Sequence, residues 1–263
     1  MKLRLTALSL AFSALFFFAP ATVTIGADTS QPGNTATDSF GKAKKVLHNI
    51  IYREADWRRD LYCGCRYDQK KKVDPASCGY VPEKDNARAH RIEWEHVVPA
   101  EAFGQRFREW REGHPDCVDN KGRPFKGRKC AEKVNMAFRY MQADIFNLYP
   151  AVGEVNGLRS NYSMAMIPGS RYRFGECGTK IEDRKIEPRP EVRGDIARTY
   201  LYMDRAYPGH GIISGKNEKL FRAWDKMDPV DERECVRARK IAKIQGNVNM
   251  VAEEACQRLQ RKN

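Results

Sequence analysis

Apolar residues recur at the spacing of amphipathic α-helices over much of the chain. In the segment 39–54 they share one helical face, and Ser39 before them is a typical N-cap residue. The same spacing predicts further helices over 101–112, 131–146, 191–206, 214–226, 231–244 and 249–258. These apolar stripes are expected to form a hydrophobic core rather than a cofactor site.

Shorter apolar runs without this spacing predict a small amount of β-strand. The predicted strands are 61–67, 79–81 and 91–98. Pro99 is expected to end the regular pairing of the last one, because proline lacks the amide hydrogen. The turn-rich segments 113–130 and 147–161 are expected to form connections, and the length of the first is typical of a functional loop.

The first 27 residues have the pattern of a secretory signal peptide. Lys2 and Arg4 precede an apolar run that ends at Phe18, and small residues provide cleavage sites after Ala21 or Ala27. An uncleaved membrane anchor is the alternative interpretation, but no second apolar segment follows. We therefore expect an exported protein, periplasmic or secreted, that does not remain in the membrane.

After the signal segment the chain divides into a short tail and one domain. Residues 28–38 are polar and rich in turn formers, which predicts a flexible mature N-terminus. Residues 39–260 suffice for one hydrophobic core. The expected fold class is α+β, a mainly helical single domain with a small antiparallel sheet.

All eight cysteines follow the signal segment, and an even number in an exported chain predicts disulfides. Short loop lengths suggest the pairs Cys65–Cys78, Cys117–Cys130 and Cys235–Cys256, which leaves Cys63 with Cys177. A zinc site is disfavoured, because the first two cysteines are closer than the usual C-x₂₋₄-C spacing and no matching pair follows.

The net charge of +13 becomes +11 once the two cationic residues of the signal segment, Lys2 and Arg4, are removed. A basic exported protein often binds a polyanion, such as nucleic acid, an anionic membrane or an acidic glycan. A basic surface without a partner has the same composition, so the charge alone does not decide between them.

The segment HRIEWEHVVPAEAFG, residues 90–104, places two carboxylates and an imidazole together at Glu93, Glu95 and His96. It is not the HExxH motif of metalloproteases, because residue 100 is not histidine and Pro99 disfavours a helix. The chain also lacks the G-x-S-x-G motif of serine hydrolases.

A hydrolytic site with one hard metal ion is the chemical interpretation that remains. Histidine suits a general base, carboxylate and amide oxygens suit Mg²⁺, and arginine suits phosphate. The segment 93–159 contains all of these groups: Glu93, Glu95, His96, Arg128, Asn147, Asn156 and Arg159. Neighbours on a strand point to opposite faces, so Glu95 and His96 share a site only if the strand ends or bends there. The alternative is a strand whose carboxylates neutralise nearby arginines, with a buried histidine.

Several segments resemble the bacterial endonuclease I family, whose members are periplasmic or secreted non-specific nucleases. The segments are RIEWEHVVPAEAFG, ADIFNLYPAVGEVNGLRSN, DIARTYLYM and KIQGN, in the order of the family, and the similarity extends from residue 40 to residue 258. The resemblance implies a ββα-metal (His-Me finger) active site.

The resemblance also implies roles for matching residues. His96 would be the general base, with Glu95 and Asn156 as ligands of one Mg²⁺ and Asn156 at the start of the finger's helix. Arg128 would bind the cleaved phosphate. The supporting residues would be Glu93 near the metal, Asn147 as a brace for the loop of the base, and Gln142.

Two positions depart from the family pattern. The family usually has a histidine where this chain has Phe146, and often a glutamate where it has Gln142. Both changes concern the surroundings of the metal and its preference, not the base or the two metal ligands. Mn²⁺ or Ca²⁺ could replace Mg²⁺ structurally.

The function expected from this resemblance is hydrolysis of double-stranded DNA, with 5′-phosphate and 3′-hydroxyl products and RNA as a second candidate substrate. The sequence does not give the oligomeric state, but a long basic cleft is compatible with a monomer. Further candidates for phosphate contacts are Arg106, Arg108, Arg111, Arg159, Arg171 and Arg173, although a solvated side chain is the favoured interpretation for each of them taken singly. Two alternatives remain: a non-catalytic nucleic-acid-binding protein and a carbohydrate or peptidoglycan hydrolase. A glycosidase needs a carboxylate pair but neither a metal nor a histidine base.

Overall fold

The computed structural model describes residues 33–169 and 172–261. The signal segment and Arg171 lie outside these residues. The helices of the described part are α1 (Phe40–Val46), α2 (Ala100–Gly104), α3 (Arg108–Arg111), α4 (Arg128–Val134), α5 (Met136–Gln142), α6 (Gly153–Arg159), α7 (Arg193–Ala206), α8 (Gly215–Met227), α9 (Glu232–Gln245) and α10 (Met250–Gln260). None of these helices is long and apolar enough to cross a lipid bilayer.

The four helices of the C-terminal third begin and end close to their predicted positions. Three of them start at side chains that accept an amide hydrogen of the first turn, namely Ser214, Asp231 and Asn249. Helix α9 ends at Gly246, whose φ of 83° is a left-handed conformation that glycine adopts without strain.

Two of the predicted helices are each divided into two. The helix expected over 131–146 is interrupted at Asn135, whose side chain caps α5 by accepting a hydrogen bond from the amide of Phe138. That capping requires an extended backbone at Asn135, which ends α4. The helix expected over 101–112 stops at Gly104, where the indole of Trp110 packs so closely that a side chain would overlap it.

Within residues 33–169 and 172–261 the strands form three small sheets rather than the one antiparallel sheet expected. The strands are β1 (Arg66–Tyr67), β2 (Val73–Asp74), β3 (Ile92–His96), β4 (Leu148–Val152), β5 (Ser163–Met164), β6 (Lys180–Glu182) and β7 (Lys185–Glu187). The pairs β1–β2 and β3–β4 are antiparallel, and the third sheet has the order β5-β7-β6 with β5 parallel to β7.

The strand predicted over 61–67 is mostly a loop folded around a buried carboxylate. The side chain of Asp60 accepts hydrogen bonds from the amides of Tyr62, Cys63 and Cys65. These amides point inward to one acceptor, so they cannot pair with a neighbouring strand. The strand predicted over 79–81 is reduced to a single bridge between Tyr80 and Gly175.

The segment 147–161, expected to be a connection, instead forms β4 and α6 beside β3. Pro150 lies within β4, where a proline would normally interrupt pairing. Its carbonyl accepts the amide of Leu61, on the side away from β3. The nitrogen of Pro150 faces that same outer side, so the ladder to β3 loses no hydrogen bond. Together β3, β4 and α6 form a ββα unit.

Residues 33–38, part of the segment 28–38 that was predicted to be a flexible mature N-terminus, are anchored to the domain by hydrogen bonds. The amide of Asn34 donates to the hydroxyl of Tyr207, and its side chain donates to the carbonyl of Tyr140. Arg139 donates to the carbonyl of Asp38. This N-terminal arm, residues 33–39, therefore lies along α5 and α7.

All eight cysteines form disulfides, in the same pairs that the loop lengths suggest: Cys63–Cys177, Cys65–Cys78, Cys117–Cys130 and Cys235–Cys256. The buried apolar side chains form one large cluster from α1 to α9 and a small one beside the last disulfide. The large cluster supports both sides of the ββα unit.

Candidate active site

A cleft of about 440 Å³ lies beside β3 and α6. The side chains that line it and matter for the chemistry are Phe40, Arg88, Glu95, His96, Arg128, Asn156 and Arg159. The structure therefore brings into one cavity the residues expected to act as the base, as the two metal ligands and as the phosphate-binding arginine.

Glu95 is 4% exposed and is held by one of its two carboxylate oxygens. Its Oε1 accepts a hydrogen bond from the hydroxyl of Tyr62 at 2.7 Å and lies 3.0 Å from Nη1 of Arg159. Burial raises the pKa of Glu95, while the charge of Arg159 and the Tyr62 hydrogen bond oppose the rise. With Oε1 engaged, Oε2 is the oxygen available to a cation.

Arg159 is 1% exposed, so it is not available to a DNA phosphate in this structure. Its Nη1 donates to the carbonyl of His96 at 2.9 Å, and its Nη2 to the carbonyl of Val97 at 2.6 Å. The guanidinium thus ties the backbone after β3 to the carboxylate of Glu95. The expectation of a phosphate contact at Arg159 is therefore corrected to a structural role.

His96 is the last residue of β3 and is 7% exposed. Its Nε2 lies 2.8 Å from the backbone carbonyl of Gln142. A carbonyl only accepts hydrogen bonds, so Nε2 carries the proton and Nδ1 is the free acceptor of the neutral ring. Burial, together with the positive charges of Arg128, Arg159 and Lys44, lowers the pKa of His96 to about 3.

Glu95 and His96 are neighbours on a strand, and this would normally place their side chains in different sites, but here both reach the same cleft. The two side chains leave opposite faces of β3, yet both line the cleft. Regular strand ends at His96, and Asn147 holds the chain that follows. Its side-chain amide donates to the carbonyl of Val98 and accepts the amide of the same residue, at 2.9 and 2.7 Å.

Asn156 lies at the middle of α6, not at its start as expected. Its Nδ2 donates to Oε2 of Glu93 at 3.1 Å, which leaves Oδ1 as the available oxygen. Glu93 also accepts hydrogen bonds from Arg88 and Arg91. Partial burial raises the pKa of Glu93, but these arginines and Asn156 lower it overall. Glu93 therefore acts on the site through the orientation of Asn156.

Arg128 is the first residue of α4 and is half-buried at the cleft. Its Nε donates to Oε1 of Gln142 at 3.2 Å. Burial lowers the pKa of Arg128 without making it neutral. Within the described residues no carboxylate forms an ion pair with it, so its charge is available to an anion in the cleft.

Among the described residues, the other candidate arginines do not line the cleft. Arg106 and Arg111 donate to backbone carbonyls of His210 and Gln105. The remaining two described ones pair with carboxylates: Arg108 with Glu112, and Arg173 with Glu83.

Sequence reasoning missed Tyr62 and Arg88, which bind the two carboxylates of the site. Tyr62 is 33 positions from Glu95 in a cysteine-rich loop, and nothing in its local pattern indicates this contact. Asp60 and the nearby cysteines do not form a metal site, because both sulfurs are in disulfides and the carboxylate accepts backbone amides.

Comparison with known proteins identifies the family. The family model for endonuclease I matches residues 34–256. The chain belongs to the endonuclease I family. An extracellular deoxyribonuclease of Aeromonas hydrophila is 42% identical over 226 residues, covering 83% of this chain and 91% of that protein. A periplasmic deoxyribonuclease of the same species is 43% identical over 204 residues, covering 75% and 79%.

A third relative carries the name of an endonuclease. Endonuclease-1 of Buchnera aphidicola subsp. Acyrthosiphon pisum (strain APS) is 41% identical over 224 residues, covering 83% of this chain and 82% of that protein. In the chain described here, Phe146, which differs from the usual histidine of the family, is buried against Tyr202, with ring centroids 4.9 Å apart. Phe146 therefore contributes to the core, whereas Gln142 contacts both His96 and Arg128.

Proposed function

We propose that this protein is a periplasmic or secreted endonuclease that hydrolyses phosphodiester bonds of DNA without sequence preference, with RNA as a second candidate substrate. The observation that carries the proposal is the neutral His96, whose Nε2–H is held by the Gln142 carbonyl, in one cleft with Glu95 and Asn156. The names of the Aeromonas relatives agree with this activity and with both locations.

His96 is the proposed general base. Because Nε2 donates to Gln142, the lone pair on Nδ1 is the atom that takes a proton from the attacking water. Burial among cations keeps the imidazole neutral before substrate binds. A bound phosphodiester adds negative charge next to the ring, and this charge raises the pKa of His96 and strengthens it as a base.

Glu95 and Asn156 fit a hard divalent cation such as Mg²⁺. Each presents one free oxygen because its other polar atom is already engaged, Oε1 with Tyr62 and Nδ2 with Glu93. Two protein oxygens completed by water are typical of Mg²⁺ sites. When bound there, the ion would stabilise the negative charge that develops on the phosphate and on the leaving oxygen.

Arg128 is the proposed phosphate ligand of the cleft. Its guanidinium has no carboxylate partner among the described residues and lies close enough to lower the pKa of His96. Arginine binds phosphate oxygens through two parallel hydrogen bonds, which orients the scissile group for in-line attack. Attack at phosphorus with departure of the 3′ oxygen gives 5′-phosphate and 3′-hydroxyl ends.

The test is cleavage of supercoiled plasmid by the oxidised mature protein, first with Mg²⁺ and then with excess EDTA. We expect nicking and linearisation with Mg²⁺, loss of activity with EDTA, and recovery when Mg²⁺ is restored. Plasmid cleavage that persists unchanged in EDTA would contradict the metal-dependent mechanism.

Parallel incubation with peptidoglycan separates the carbohydrate-hydrolase alternative. Glycan cleavage that resists EDTA, without any plasmid cleavage, would favour that alternative. Plasmid binding without cleavage under Mg²⁺ or Mn²⁺ would favour a non-catalytic nucleic-acid-binding protein.

A further inference from the structure

The first residue of α1, Phe40, packs against the proposed base. Its ring centroid lies 4.7 Å from that of His96, and its side chain lines the cleft. From another side, Nε2 of the imidazole is held by its hydrogen bond to the carbonyl of Gln142. Phe40 therefore limits the position of the ring from a second direction.

The N-terminal arm fixes the position of Phe40. Ser39 caps α1 by accepting the amide of Lys42, and Asp38 is bound by Arg139. Further upstream, Asn34 donates to the hydroxyl of Tyr207. These anchors lie at the start of α1, on α5 and directly after α7, so the placement of Phe40 depends on the tertiary fold and not on α1 alone.

Two cations lie over the same aromatic ring. The Cζ atom of Arg128 is 5.2 Å from the Phe40 centroid, and the Nζ atom of Lys44 is 4.8 Å from it. Both distances are within the range of cation–π attraction. Lys44 follows Phe40 by four positions, so the two share one face of the helix.

The charge of Lys44 is not neutralised locally. In the described part of the chain, Lys44 has no ion pair with a carboxylate, whereas Lys42 on the same helix pairs with Asp38 at 2.8 Å. Arg128 likewise lacks a carboxylate partner there. The ring of Phe40 thus holds two uncompensated cations beside His96.

We propose that Lys44 is a second phosphate-binding residue of the active site, and that Phe40 is a positioning residue for Lys44, Arg128 and His96. The proposal rests on the proposed nuclease function. Lys44 contacts a phosphate of the bound strand when the substrate docks, so it contributes to binding in the ground state. Phe40 acts through the residues that it orders.

The test compares Lys44→Met with Lys45→Met, which removes the same charge from the neighbouring exposed residue of α1. Binding of a short DNA duplex is measured in EDTA at several salt concentrations. A lost phosphate contact makes the slope of log K against log salt shallower by about 0.9. We expect this change for Lys44→Met, wild-type behaviour for Lys45→Met, and recovery in Lys44→Arg.

Steady-state cleavage provides a second readout. Lys44→Met should raise KM and leave kcat unchanged, because the contact forms in the ground state. Phe40→Leu keeps an apolar side chain but removes the ring, and should lower kcat as well as affinity. A wild-type kcat and salt slope in Phe40→Leu would overturn the positioning role.

The result that would overturn the binding role is an equal effect of Lys44→Met and Lys45→Met on slope and KM. Failure of this inference is distinct from failure of the proposed function. If the wild-type protein cleaves plasmid with Mg²⁺ while the two lysine variants behave alike, only the role of Lys44 is rejected. If the wild-type protein does not cleave, the nuclease function itself is rejected.

Discussion

His96 is surrounded by positive charge and has no carboxylate partner for its ring in the described structure. Its Nε2–H is bound to a neutral carbonyl, and burial with the charges of Arg128, Arg159 and Lys44 lowers its pKa to about 3. The unfolded chain, with a pKa of 6.5, binds a proton at a higher pH. Folding stability from this residue therefore falls as the pH drops from 6.5 towards 3.

A direct consequence concerns the ring resonances of His96 in the metal-free protein. We expect them to stay at neutral-imidazole positions from pH 8 to pH 5 in NMR spectra, with the proton on Nε2. Signals that are lost in His96→Ala provide the assignment. A titration midpoint near 6.5 would contradict the buried, cation-flanked environment.

Arg159 connects three parts of the site through one guanidinium. It pairs with the carboxylate of Glu95 and donates to the carbonyls of His96 and Val97. Removing one partner of a buried ion pair leaves the other charge without compensation. The residue therefore stabilises the fold and the site together.

Arg159→Met should lower the free energy of unfolding by about 3 to 5 kcal/mol, because Glu95 remains buried without its cation. Denaturant titration measures this change. Arg159→Lys keeps the charge but cannot reach both carbonyls, so we expect an intermediate stability and a reduced kcat. A wild-type free energy of unfolding in Arg159→Met would show that the ion pair between Arg159 and Glu95 does not stabilise the fold.

Among the secondary-structure elements, the ββα unit holds the residues of the site in place, because separate contacts fix the positions of β3, of α6 and of the chain after β3. The ladder between β3 and β4 sets the register of Glu95 against Tyr149, and α6 follows β4 without a loop. Asn147 then completes the pairing of the chain beyond His96. Each proposed ligand thus comes from regular structure, which keeps its position precise enough for catalysis.

Disulfides provide a test at this scale, because two of them have different relations to the cleft. Cys117–Cys130 closes the loop that precedes Arg128 and ends in α4, whereas Cys235–Cys256 joins α9 to α10. Replacing either pair with alanine should lower the free energy of unfolding by about 2 to 4 kcal/mol.

Only the first replacement should reduce the activity of the folded protein, since it loosens the segment that positions Arg128. Steady-state cleavage below the unfolding transition measures this, with the Cys235–Cys256 variant as the matched control. Equal kcat and KM in both variants would mean that the loop does not position Arg128.

The sequence predicted the elements that are determined by interactions between residues close together in the chain. Apolar periodicity and capping residues such as Asp231 define the C-terminal helices. Loops that depend on a distant or unusual partner were not predictable in this way. The amides around Asp60 turn inward to one carboxylate, and Pro150 faces the outer side of β4.

The same distinction applies to the candidate site. Residue types and the family pattern selected Glu95, His96 and Asn156, which the structure brings into one cleft. The role of Arg159 was wrong, because whether an arginine contacts solvent or a buried carboxylate depends on tertiary packing. Phe40 lies near the start of the domain, far from His96 in the sequence. Nothing in the neighbouring residues indicates that a half-buried phenylalanine at this position contacts the site.

At the scale of the whole molecule, the excess of 47 lysines and arginines over 34 acidic residues favours binding to a polyanion. Phosphate contacts release counterions, so the affinity for DNA should fall steeply and linearly on a logarithmic salt scale. We also propose that the enzyme acts as a monomer, since the proposed base, the two proposed metal ligands and the proposed phosphate ligand all come from the same chain.

In EDTA, duplexes of unrelated sequence should bind with the same affinity and the same salt slope. Fluorescence anisotropy over a series of salt concentrations measures both quantities. A strong preference for one sequence, retained at high salt, would indicate readout of bases and would contradict a phosphate-directed nuclease.

Plasmid cleavage by His96→Ala tests the proposed base directly, with DNA binding measured on the same preparation. Loss of a general base lowers the rate roughly 100- to 10,000-fold. We predict such a loss with Mg²⁺ present, together with wild-type affinity for DNA in EDTA. Near-normal cleavage by the folded variant would rule out His96 as the general base, because the site would then hydrolyse phosphodiesters without it.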